Sequence, residues 1–118
     1  MIRHILPKGF PKIVCLCGST RFSEAFKAAN LRETVSGNIV LSIGCDTKSD
    51  TDLLALGQLT SEAKERLDQL HKRKIDLADE ILVLNVGGYI GDSTRSEIEY
   101  AQKMNKSIRL LEQAERGE

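Results

Sequence analysis

The sequence predicts an α/β fold: a three-layer sandwich around a four-stranded parallel sheet of order 2-1-3-4. Three observations predict it. Residues 12–17, Lys-Ile-Val-Cys-Leu-Cys, form a near-continuous apolar run, the pattern of a strand buried on both faces. Such runs alternate with segments whose apolar residues recur at helical spacing, in the order β-α-β-α-β-α-β. Right-handed crossovers between successive strands then make a doubly wound sheet. Its crevice opens at the carboxyl ends of the strands, where the strand order reverses.

The elements follow in order. Residues 1–11 hold both prolines, Pro7 and Pro11, and read as a lead-in. The first strand, 12–17, stops at Gly18-Ser19-Thr20. A helix follows, with Ser23 as its cap, Phe22, Ala25, Phe26 and Ala29 on one face, and Gly37-Asn38 at its end. Residues 39–43 are the second strand. Residues 44–60 form a polar loop with Asp46, Asp50, Asp52 and a short apolar patch at 53–56. Loops of that length in small domains are often functional. The three aspartates suggest calcium, but the glycine and terminal glutamate of an EF-hand are missing, so a solvated loop is the better reading. A helix over 61–78, a third strand over 81–86, a glycine-rich loop at 87–93, a helix over 94–105 and a fourth strand at 107–111 complete the pattern. Residues 113–118 are a polar, fraying tail.

A chain of 118 residues fits one domain, 1–118, with one core. Lys and Arg number 17 and Asp and Glu number 17, so no net charge draws the chain to a nucleic-acid polymer or an anionic membrane. An anionic ligand therefore needs a local site. No apolar run approaches the roughly 20 residues of a membrane span, and residues 1–10 lack a signal-peptide pattern. The expectation is a cytoplasmic protein with no membrane partner. Cys15 and Cys17 alternate around Leu16 and point to one face of their strand. With three cysteines in all, a disulfide framework is not expected. A Cys-x-Cys pair without a matching His or Cys is weak evidence for metal. The two read as reduced core residues, with no metal or cofactor expected.

Two loops fall at the predicted crevice. Gly18-Ser19-Thr20-Arg21 sits between a buried strand and a helix. Its hydroxyls, free N–H groups, helix amino end and Arg21 all favour an anion such as phosphate. It lacks the Gly-Lys-Ser/Thr ending of a Walker loop, and an ordinary strand-to-helix turn is the alternative. Beyond the second loop, Glu97 falls within the apolar stripe of its helix with Ile98, Tyr100, Ala101 and Met104, whereas Glu99 points to water. A carboxylate facing inward needs a reason. Either Thr94-x-x-Glu97 is a capping box, or Glu97 has a catalytic or binding role. His71 lies on the apolar face of its helix beside Leu67 and Leu70, a position that suits a satisfied core histidine or a site residue. The basic run Lys72-Arg73-Lys74 suits the carboxyl end of that helix.

These residues also resemble a known family. Cys17-Gly18-Ser19-Thr20-Arg21 is similar to the Gly-Ser-x-Arg loop of 2′-deoxynucleoside 5′-monophosphate N-glycosidases. Ala78-Asp79-Glu80-Ile81-Leu82-Val83-Leu84, a Gly/Asp/Ser loop and Ser96-Glu97-Ile98-Glu99-Tyr100-Ala101 resemble the wider nucleoside 2-deoxyribosyltransferase superfamily. The resemblance spans residues 12–112. It implies a flavodoxin-like fold, a homodimer, and cleavage of the N-glycosidic bond of a small-molecule nucleotide or nucleoside. Glu97 matches the glutamate that attacks the sugar C1′. Gly18, Ser19, Thr20 and Arg21 match the phosphate loop. In the second loop, with Gly88 and Asp92, Ser93 is the counterpart of a phosphate-holding serine. The position of an assisting acid in the second helix falls at His71, with Asp68 one turn earlier. Glu99 stands where the family has glycine. The alternative is a non-catalytic nucleotide-binding module that keeps the same loop and uses Glu97 only as a cap.

Overall fold

The computed structural model describes residues 2–43 and 61–113. The 44–60 loop with its aspartates, Cys45, and residues 114–118 of the tail lie outside the described residues. The described elements are β1 (Ile13–Cys17), α1 (Ser23–Val35), β2 (Ile39–Leu41), α2 (Ser61–Leu77), β3 (Glu80–Val83), α3 (Asp92–Lys103) and β4 (Ser107–Leu110), with short 3-10 turns at Ile2–Ile5 and Val86–Gly88. The sheet is wholly parallel, in the order β2-β1-β3-β4. Cys15 stands between Leu41 of β2 and Ile81 of β3, and Val83 lies beside Leu110 of β4. This is the predicted α/β, flavodoxin-like fold.

All five residues of β1 are buried, as an apolar run flanked by two strands and covered on both faces must be. Alternation then divides the core. Val14 and Leu16 join Phe26 and Ala29 of α1 on one face. Cys15 and Cys17 join Ile75 of α2 and Ala101 of α3 on the other. Placing α1 alone on one face and α2 with α3 on the other is what right-handed crossovers require of this strand order.

Several ends differ from the sequence reading. Ser23 is the first helical residue of α1, and its predecessor Phe22 occupies the cap without a side-chain cap bond. The Phe22 N–H instead closes a turn onto the Ser19 carbonyl at 3.0 Å. β3 ends at Val83, although Leu84 still donates to the Cys17 carbonyl at 2.8 Å. Asn85 follows, buried, exchanging two hydrogen bonds of 2.9 Å with the Glu112 backbone and so anchoring the departing loop beside the end of β4. α3 begins at Asp92, two residues before the predicted start, from Gly91 in extended backbone.

Two ion clusters tie the ends of the sheet. Glu33 of α1 is buried and receives Arg109 of β4 at 3.0 and 2.9 Å and Asn38 at 2.9 Å. Arg109 also meets Glu80, which pairs with Lys12. Arg3 in the lead-in grips Asp79 through Nε at 2.9 Å and through Nη2, and Asp79 accepts the Ile13 N–H at 2.8 Å. Among the described residues, no helix is long and apolar enough to cross a membrane.

Candidate functional site

A cleft of about 350 Å³ opens at the carboxyl ends of β1 and β3, the size of a small-molecule site and the place expected of a doubly wound sheet. One wall is Gly18, Ser19 and Thr20. A second is Tyr89, Gly91, Ser93, Thr94 and Glu97. α2 supplies Lys64, Leu67, Asp68 and His71, and Ile43 beyond β2 closes the rim.

Gly18 is small because of β3. A Cβ there would lie 3.1 Å from Leu84 Cβ and 3.3 Å from the Leu84 carbonyl oxygen. Close packing of β1 on β3 thus requires a glycine here, whatever the cleft holds. The next residues form a pre-shaped turn, in which Ser19 Oγ accepts the Arg21 N–H at 3.3 Å. Arg21 is exposed, and its guanidinium lies 4.5 Å above the Tyr89 ring. Phe22 meets the same ring edge-to-face at 5.9 Å. Tyr89 thus joins the two loops, with cation–π and aromatic contacts holding them at a fixed separation.

Seven of the predicted site residues line the cleft: Gly18, Ser19, Thr20, Asp68, His71, Ser93 and Glu97. Arg21 sits outside the lining, over Tyr89. Gly88 is also outside it, and the Asp92 side chain is fully exposed, 3.3 Å from Arg95 Nη1. Tyr89, Thr94 and Lys64 were missed. Tyr89 carried a signal, as an aromatic residue among glycines. Lys64 carried none, since one lysine on a polar helix face looks like any other.

The capping box does not form. Because α3 starts at Asp92, Glu97 lies in the second turn, Thr94 is buried inside the helix, and the cap residue Gly91 has no side-chain cap bond. The amino end of α3, with Gly91, Ser93 and Thr94 on the cleft, therefore presents N–H groups and a positive helix end to it. Glu97 faces inward, its side chain 13% exposed, with Oε1 3.9 Å from His71 Nε2. Burial pushes its carboxyl pKa up, and the adjacent His71 opposes that shift.

His71 is buried, and its Nε2 lies 3.6 Å from Cys15 Sγ and 3.5 Å from Cys17 Sγ. Burial pulls the imidazole pKa down, but Cys15 and Glu97 beside it more than compensate, and the net shift is upward. The Cys17 thiol, with His71, draws Cys15 down to about 6 against the cost of burial. Cys17 is pushed up by Cys15 and by burial. Leu67 shares the inward face of α2 with His71, whereas Leu70 is 54% exposed and does not. The histidine that the Cys-x-Cys pair lacked in sequence is His71, at least 54 positions away, and the three ligand atoms lie within 4.8 Å of one another.

Fold and site together define a flavodoxin-like α/β protein with a cleft walled by a hydroxyl-rich turn, a helix amino end and an inward carboxylate. Compared with protein-family models and with curated proteins, the chain matches none.

Proposed function

We propose that the chain is an N-glycosidase or 2-deoxyribosyltransferase acting on a nucleotide or nucleoside, with Glu97 as nucleophile. The observation that carries this reading is the placement of Glu97: half-buried, facing inward on the cleft, and free of the capping role that would otherwise explain it. The phosphate would sit against Ser19, Thr20 and the amino end of α3, where N–H groups and hydroxyls favour an anion. The Glu97 carboxylate attacks C1′ as the C1′–N bond breaks through an oxocarbenium-like transition state, and the bonding pair leaves with the base. Asp68, on the cleft, passes a proton to the departing base and recovers one from the water that later attacks the glycosyl ester. His71, whose Nε2 is held among two thiols and Glu97, positions the nucleophile. Water then hydrolyses the glycosyl ester and restores the carboxylate; a second base in place of water gives transfer. We place this activity in a cytoplasmic homodimer, for which the resemblance to the deoxyribosyltransferases, the reduced thiols of Cys15 and Cys17 and the exposed Leu70 and Leu77 on α2 are the support.

The test follows free base by chromatography after incubation with a panel of nucleosides and nucleoside monophosphates. The parent and Glu99→Gln, whose side chain is exposed, should release base, and a folded Glu97→Gln protein should lose release by orders of magnitude. Equal release by Glu97→Gln overturns the mechanism. No release by the parent from any member of the panel leaves the non-catalytic nucleotide-binding module as the reading.

A further inference from the structure

We propose that Cys15, Cys17 and His71 form a zinc site beneath the floor of the cleft, with Glu97 as the fourth ligand. The site stands on its own geometry and does not depend on the glycosidase reading. Tetrahedral zinc, with bonds of about 2.3 Å to sulfur and about 2.0 Å to nitrogen, separates the two ligand atoms by about 3.5 Å. The observed separations are 3.6 Å from Cys15 and 3.5 Å from Cys17 to the same Nε2. Glu97 Oε1 lies 3.9 Å from that nitrogen but outside the 4.8 Å cluster of the other three donors, so the carboxylate moves inward on metal binding to reach the remaining vertex, where the nitrogen–oxygen edge is about 3.4 Å.

Hydrogen bonding alone serves this cluster poorly. One imidazole nitrogen has one lone pair or one proton, yet it faces two sulfurs and a carboxylate. It can satisfy one of them well, and the other contacts are weak sulfur hydrogen bonds, from Cys15 to the Leu16 carbonyl at 3.9 Å and between Cys17 and Glu97. A single cation satisfies all four at once. Two thiolates select a thiophilic metal, and the imidazole and carboxylate beside them suit zinc better than copper(I). Three negative ligands around a divalent cation leave one net charge, and Lys74, one turn along α2 from His71 with its Nζ held by the Ser42 carbonyl at 2.6 Å, is the cation placed to offset it. Two ligands come from a strand held within the sheet and two from helices packed on the same face, so three donors are fixed before metal arrives and the Glu97 carboxylate closes on the ion. A metal-loaded chain has Glu97 engaged, so metal occupancy and attack by that carboxylate exclude each other.

The test is a cobalt(II) titration of the whole reduced, metal-stripped chain. The expected result is one equivalent bound, with a sulfur-to-cobalt charge-transfer band and the intense visible bands of a tetrahedral ion, both removed by zinc. Cys15→Ser, Cys17→Ser and His71→Gln should each lose that spectrum, and Cys45→Ser should keep it. An octahedral spectrum in the parent, no stoichiometric binding, or loss on Cys45→Ser overturns the site. Because serine in the core can unfold the chain, X-ray absorption at the zinc edge of the unmodified protein decides independently. A shell of two sulfurs with two nitrogen or oxygen neighbours supports the site, and a shell without sulfur overturns it. Base release enters neither measurement, so failure of the site and failure of the glycosidase reading are separable.

Discussion

Glu97 shows how one residue's meaning depends on a helix start. Its inward direction was readable from the spacing to Ala101 and Met104, and Ala101 is fully buried. The choice between cap and site was not readable, because both fit Thr94-x-x-Glu97. The extended Gly91 removes the cap reading by starting α3 early and moving Glu97 out of capping reach. Gly18 is the converse case: it lines the cleft, yet strand packing is what requires it to be glycine. The two reasons a glycine can be required are separable by substitution. Gly18→Ala sets a Cβ 3.1 Å from Leu84 Cβ between two buried strand ends and is expected to cost about 2 kcal/mol of stability. Gly88→Ala meets no atom within 4 Å, and only its φ of 83° is strained, so about 1 kcal/mol is expected. Urea unfolding of both variants checks the order; a larger loss for Gly88→Ala would reverse these assignments.

At the scale of elements, boundaries reflect who supplies the partners. β1 was legible because burial on both faces leaves an unbroken apolar signature. The end of α1 was legible too: Gly37 and Asn38 follow it, and the Asn38 N–H bonds the Glu33 carbonyl at 3.0 Å. The clasp between α1 and β4 was not. Glu33 looks like a surface residue of a polar helix until Arg109, brought alongside by the fold, accounts for its burial. Arg109 holds the Glu33 carboxyl below the usual carboxylate range, and Arg3 does the same for Asp79. A carboxylate whose folded pKa is depressed stabilises the fold fully above its unfolded value, about pH 4, and loses that contribution as pH falls through the folded value. Stability measured by urea midpoint should therefore fall between about pH 5 and pH 2. The fall should be smaller in the Glu33→Leu/Arg109→Leu double variant, from which one of the two depressed carboxylates is gone. An identical fall in parent and double variant would show that the clasp contributes nothing to acid sensitivity.

For the whole molecule, the exposed apolar side chains bear on assembly. Leu70 and Leu77, 54% and 45% exposed, lie two turns apart on α2, and β4 ends the described sheet without a further strand beside it. Open edges and apolar stripes are surfaces that a partner covers. A homodimer is expected in sedimentation at micromolar concentration, and a monomer mass there would overturn it. The sequence by itself determined the fold class and the two loops that meet at the crevice, with the 2-1-3-4 strand order implied by the family resemblance. Those features follow from local periodicity and from the handedness of short connections, both written in consecutive residues. Only the tertiary structure decided what the site contains. It set Tyr89 between the loops, took the cap away from Glu97, and brought His71 from α2 against Cys15 and Cys17 of β1. Such contacts join residues far apart in the chain, and their chemistry arises from the separation of a few side-chain atoms, which no spacing along the sequence records.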